Sequence, residues 1–187
     1  AVVILEKVCC SYNCKEIHLV FDKILTPSIK GFERDCRNIG ELESFTIAGP
    51  EQLRPSSWTN ALRNNSFKES LVTFLISYWE RNELSVFYGE KIVYVTCKNK
   101  CFRFTSSNGK VSKSEMPNLY ALHEEADSRM FFHVRSLSGP ANIVLRTNDT
   151  DVLITALGCM ENINENIKIW IDINVYAKNT RRYIFIN

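Results

Sequence analysis

Asn142-Ile143-Val144-Leu145-Arg146-Thr147 runs straight into Asn148-Asp149-Thr150-Asp151-Val152-Leu153, the clearest sign of architecture in the chain. The first half is a short apolar run of strand length. Val152–Leu157 is apolar again and reads as a helix. Two carboxylates, Asp149 and Asp151, lie at the junction. A buried strand leading into a helix is the repeating step of an α/β architecture. In open parallel sheets, ligands gather beyond the carboxyl ends of the strands.

Ile17-His18-Leu19-Val20-Phe21 is a second compact apolar run, and Asp22 ends it. It reads as a buried strand of a parallel sheet, more than as an edge. Residues 123–137 read as a helix with Ala126, Met130, Val134 and Leu137 on one face, stopped by Gly139-Pro140. Ser66 and Glu69 form a capping box opening a helix whose apolar face is Phe67, Leu71, Phe74, Leu75 and Tyr78. Lys30–Arg37 reads as a short helix after Pro27. Residues 1–10 fit helix or strand.

Val86–Tyr88, Ile92–Cys97 and Cys101–Phe104 read as antiparallel strands joined by short turns, with a further turn at Asn108-Gly109. Lys168–Val175 and Arg182–Ile186 read as a late hairpin. The expectation is one α/β domain over 1–187: a mostly parallel central sheet flanked by helices, with an antiparallel β insertion at about 84–113. The chain opens on Ala1-Val2-Val3 and ends on Ile184-Phe185-Ile186, which reads like a strand cut short. A fragment of a longer protein, without the domain's first strand, is expected.

Composition narrows the function classes. At 45% hydrophobic and 24% charged, the 187 residues suffice for a folded core, which excludes disorder as the main state. The longest apolar run, Leu71–Trp79, is about half the roughly 20 residues of a membrane span. No signal segment is visible. With 23 Lys and Arg against 21 Asp and Glu, any basic binding surface must be local. Seven cysteines at irregular spacing fit a reducing compartment, so an intracellular protein of nucleus or cytoplasm is expected.

The acids carry the chemistry. Asp22 ends one strand, Asp149 and Asp151 follow another, and Glu124, Glu125 and Asp127 open a helix. Taken singly, each has a local reading: a turn residue for Asp22, a favourable helix dipole for the glutamates and Asp127, an N-cap for Asp149. Taken together, they could meet at one sheet edge. Two carboxylates about 4 Å apart repel by roughly 4 kcal/mol at an effective dielectric of about 20. A cluster therefore needs protons or cations, and hard oxygen donors select Mg²⁺ or Mn²⁺. Two such ions activate water and stabilise the leaving oxygen in phosphodiester hydrolysis.

These segments resemble the flap-endonuclease branch of the PIN-like nucleases. The likeness rests on Ile17–Lys23, Glu125-Ala126-Asp127 and Thr147–Leu153, in that order. It is closer still to uncharacterised animal proteins of that superfamily. The motifs shared with them are Val20-Phe21-Asp22, Ser28-Ile29-Lys30 with Glu33-Arg34, Glu124-Glu125-Ala126-Asp127-Ser128-Arg129, and Asp149-Thr150-Asp151-Val152-Leu153. The likeness covers residues 16–37 and 119–157, and 40–115 only in general layout. It implies metal-ligand roles for Asp22, Glu125, Asp127, Asp149 and Asp151, with Asp127 where flap endonucleases carry Glu. It implies that Lys30 and Arg37, which with Arg34 share a helix face at i, i+4 and i+7, hold the scissile phosphate. The partner implied is DNA or RNA.

The pattern departs from the family in two places. No Asp precedes Asp22, and only Glu6 and Glu16 are acidic there. The Gly-rich DNA-binding motif and the acid downstream of Asp-x-Asp are not evident; Asp172, inside Ile169–Ile173, is expected to face solvent by strand alternation. An alternative function is a catalytically inactive PIN-like domain that binds nucleic acid or protein. A third class is a zinc-stapled domain using Cys10, Cys14, Cys97 and Cys101, the latter two facing each other across a hairpin. A cysteine nucleophile with His18, His123 or His133 has no local signature. Trp58, Trp79 and Trp170 are either base-stacking or core residues.

Overall fold

The computed structural model describes residues 1–10, 13–23, 47–147, 149–175 and 180–186. The chain divides into two compact units, Ala1–Glu124 and Glu125–Asn187, each with its own core. The architecture is mixed α/β with two small sheets. Lys30 and Arg37, and the helix expected around them, lie outside the described residues.

The first unit opens with helix α1 (Val2–Cys10), so the ambiguous opening run is helical. Leu5 and Cys9, four apart, are its buried stripe. Strand β1 (Glu16–Leu19) follows. After α2 (Trp58–Ala61) comes α3 (Asn65–Tyr78), capped by Asn64, whose Oδ1 accepts from Phe67 N at 2.8 Å. The cap is thus two residues before Ser66: Asn is as good an N-cap as Ser, and an earlier start adds a half turn. The fully buried face of α3 is Phe67, Val72, Leu75 and Ile76, with Leu71, Phe74 and Tyr78 packed more shallowly.

Ser85–Tyr88 is a helical turn, α4, and not a strand. Val86 is 77% exposed, while Tyr88 is buried and donates its hydroxyl to Trp79 O at 2.9 Å. Strands β2 (Ile92–Cys97), β3 (Lys100–Ser107) and β4 (Lys110–Glu115) then form the expected antiparallel meander. Asn108 and Gly109 both have positive φ, 50° and 72°, and Ser107 pairs with Lys110. This is the geometry of a two-residue type I′ hairpin, which matches the strand twist. β1 pairs with β2 in parallel and, among the described strands, is at one end of the order β1-β2-β3-β4. Trp79, Val93, Val95 and Phe104 form the centre of this core, each large side chain contributing about 1.5–3 kcal/mol on burial.

The second unit is a βαβ unit extended by a hairpin. Helix α5 (Ala126–Arg135) precedes β5 (Ala141–Arg146), α6 (Thr150–Cys159), β6 (Ile167–Val175) and β7 (Thr180–Phe185). β5 and β6 are parallel; β6 and β7 are antiparallel. Ile167, Ile169 and Ile171 of β6 pack with Leu145, Val134, Val152 and Ala156.

A mostly parallel central sheet is therefore not what the described strands form. Parallel pairing is confined to β1–β2 and β5–β6, and the other three pairings are antiparallel. The reason is the connections: strands joined by short links, of two residues for β2–β3 and β3–β4, cannot be parallel, whereas α6 supplies the long crossover that β5 and β6 need. Among the described residues no helix is long and apolar enough to cross a membrane.

Candidate functional site

In the first unit, β1 hands on to an extended segment ending at Asp22. Phe21 N donates to Thr96 Oγ1 at 2.8 Å, and Lys23 N donates to Glu124 O at 2.7 Å. Thr96 is fully buried, so its hydroxyl satisfies a backbone donor where β1 stops pairing. Asp22 is held between these two anchors, exposed, just past the carboxyl end of the parallel β1–β2 pair.

In the second unit, Glu125 is the N-cap residue of α5, without a side-chain cap hydrogen bond, and Asp127 lies in the first turn, half-buried. Ser128 Oγ donates to Glu125 O at 3.1 Å. Both acids therefore stand at the positive end of the helix dipole. Asp149 is the N-cap of α6: its Oδ1 accepts from Asp151 N at 3.1 Å. Its own N–H donates to Thr147 Oγ1 at 3.0 Å. Asp149 and Asp151 are both exposed, at the carboxyl end of β5. The N-cap role for Asp149 is thus real, and it occupies one of two carboxylate oxygens.

Asp172 does not face solvent. It is 1% exposed, beside Arg146 on β5 and Tyr183 on β7 in register. Thr147 N donates to its backbone carbonyl at 3.3 Å. Strand alternation alone placed it outside; its position one step before Thr147, at the same end of the sheet as Asp149, was not legible from β6 by itself. Arg129 and His133, four apart on α5, are also buried, at 0% and 4% exposure. The buried face of α5 is Arg129, Phe131, His133 and Val134, with Met130 and Leu137 packed at its margin. The signal for these polar groups was a helix whose apolar stripe is thin.

The cysteine alternatives lose their geometry. Thr96 opposes Cys101 and Cys97 opposes Lys100 across the hairpin. Directly opposed residues share a sheet face, so Cys97 and Cys101 point to opposite faces. Cys9 is buried, and that burial, with neighbouring Cys10, pushes its thiol up to about 11; Cys14 is also raised by burial. A nucleophile needs the thiolate, which both sites disfavour. Trp79 is a core residue, with Nε1 donating to Ala1 O at 3.2 Å; Trp58 packs edge-on against Phe67.

Among the described residues, no three His, Cys, Asp or Glu side chains converge tightly enough to hold a metal ion as they stand. Glu125, Asp127, Asp149 and Asp151 of the second unit are all carboxylates, the ligand type that hard cations take. The chain matches no protein family, no curated protein and no solved structure.

Proposed function

We propose that this chain is a PIN-like, flap-endonuclease-like domain that hydrolyses phosphodiester bonds of DNA or RNA with Mg²⁺ or Mn²⁺. The observation that carries the reading is internal to the first unit. One backbone hydrogen bond, Lys23 N to Glu124 O, joins the residue after Asp22 to the residue before Glu125. It links the Asp22 segment to Glu124, the first residue of the Glu124–Arg129 motif, within the first unit, and this supports the reading. Asp149 and Asp151 stand at the carboxyl end of β5, in the position that open sheets use for ligands.

In this reading Glu125, Asp127, Asp149 and Asp151 hold the cation, and the resemblance adds Asp22. A bound divalent ion supplies a Lewis acid that activates water and stabilises the leaving oxygen. Asp149 keeps its second oxygen for the ion while the first fixes the start of α6. Lys30 and Arg37 hold the scissile phosphate. A PIN-like parallel core belongs to the same reading.

A second reading is favoured by the capping of Asp151 N by Asp149: the acids are structural, and the domain binds nucleic acid or protein without cleaving it. Cleavage of labelled single-stranded and branched DNA and RNA in Mn²⁺ separates the two. Asp149→Asn with Asp151→Asn is expected to abolish metal-dependent cleavage. Unchanged cleavage rejects the ligand assignment, and absence of any Mn²⁺ binding heat in the unsubstituted chain selects the second reading.

A further inference from the structure

We infer that the face of the second sheet carrying Val144, Trp170 and Phe185 is a stacking platform for single-stranded nucleic acid. The sheet has two unlike faces. Ile143 and Leu145 of β5 and Ile167, Ile169 and Ile171 of β6 belong to the helix-covered core. The alternate residues must point the other way. Val144 opposes Trp170, and Trp170 opposes Phe185, so the three form one row across all three strands.

That row is open. Val144 is 43% and Phe185 56% exposed, and the Trp170 and Phe185 rings lie 5.2 Å apart, tilted by 44°. Tyr183, two residues along β7 on the same face, is 50% exposed. Trp170 is half-buried beside exposed Phe185, and aromatic rings grouped at the surface of a sheet face mark a candidate binding surface.

Charge selects which occupant. The cations on this face, Arg146 and Lys168, are exposed. Arg146 is two residues to one side of the row and Lys168 two residues to the other. Among the described residues the face's acid, Asp172, is 1% exposed, so the charged groups that solvent meets there are cationic, beside exposed Val144 and Asn142. A polyanion with flat, stackable bases matches both features. A duplex hides its base faces, which makes the single strand the form recognised. A second copy of this chain matches less well, because a two-fold pairing of this face sets cations against cations with no exposed acid to offset them.

This inference does not depend on the metal ligands, so it is tested without metal. A fluorescein-labelled oligothymidylate or oligouridylate of about 15 nucleotides is titrated with the intact chain in EDTA at low salt, followed by anisotropy. Saturable binding is expected, with Phe185→Ala and Trp170→Ala each weakening it roughly tenfold, since one base–aromatic stack is worth about 1–3 kcal/mol. Phe185→Tyr and Trp170→Phe should restore most of the affinity. Arg146→Glu and Lys168→Glu alter exposed side chains only; each should weaken binding and flatten its salt dependence. Circular dichroism checks the fold of every variant. Should Trp170→Ala fail to fold, Phe185→Ala and the charge reversals still decide. The inference is overturned by no binding, by unchanged affinity in Phe185→Ala and the charge reversals, or by equal competition from duplex. It is equally overturned if sedimentation shows a dimer that Phe185→Ala dissolves while oligonucleotide does not bind. Failure here leaves the Mn²⁺ cleavage assay intact, so the two proposals fail separately.

Discussion

Asp149 caps the helix in which Asp151 stands: the Asp149 carboxylate accepts the Asp151 backbone N–H at 3.1 Å. One side chain therefore carries a folding role and, in the proposed function, a ligand role. The two separate by substitution. Asn is an N-cap as good as Asp, so Asp149→Asn should leave thermal stability nearly unchanged, whereas Asp149→Ala should cost about 1 kcal/mol. Both should abolish Mn²⁺ binding in calorimetry. Binding retained by Asp149→Asn removes this residue from the ligand set.

His18 links the edge strand to pH. Its ring stacks on Tyr94 with centroids 4.3 Å apart, and its Nε2 lies 3.7 Å from a Glu16 carboxylate oxygen. Burial holds its pKa below the usual 6.5, outweighing the opposing pull of Glu16. The unfolded chain then binds the proton more readily than the folded one. Stability is fully present above the unfolded pKa and declines as pH falls from about 6.5 through the lower folded value. Urea denaturation of His18→Gln between pH 7.5 and 5 should show a flatter slope than the unsubstituted chain. An identical slope means that His18 is not the linked group.

What was legible in the sequence follows a physical divide. Local chemistry read true: the Asn108-Gly109 turn, the strand from Asn142 and the helix after Asp149 depend on nearest neighbours, and all three form. Pairing read only in part: the β2–β3–β4 meander and the β6–β7 hairpin were expected and form, whereas a mostly parallel sheet does not. Nothing within Ile17–Phe21 says that its strand comes last among the described strands of its sheet, because that depends on β2, some seventy residues away. Val86–Tyr88 shows the same limit: three apolar residues suit a strand or a helical turn, and the Tyr88 hydroxyl bond to Trp79 O belongs to the turn. The acids at Asp22, Glu125 and Asp149 were legible as strand ends and helix starts. Asp172, Arg129 and His133 were not, since periodicity assigns polar residues to water and only tertiary packing reveals the exceptions.

The hairpin turn offers a clean backbone test. Gly109 has φ +72°, and a Cβ built there meets nothing within 4 Å. Any cost of Gly109→Ala is then conformational and not steric crowding from neighbours, about 1 kcal/mol for a left-handed non-glycine residue. Asn108→Gly, at φ 50°, should be close to neutral. Paired melting curves check both. A Gly109→Ala change without effect would mean that the β3–β4 turn relaxes to another type.

The buried charges of the second unit set a larger stake. Arg129 is 0% exposed and Asp172 is 1% exposed, in a unit of only 63 residues. A guanidinium keeps its proton in any protein environment. Its burial is tolerable only where acceptors surround it, and removing either side of such an arrangement leaves the other desolvated and uncompensated. Arg129→Leu is roughly matched in apolar volume yet should destabilise by about 3 kcal/mol or more. Asp172→Leu should do likewise. If the two groups offset one another, the double variant should recover part of the loss, and a double-mutant cycle in urea measures how much. Strict additivity would instead show that each charge is neutralised by a different neighbour, and Asp172 would then be held by groups other than the α5 guanidinium.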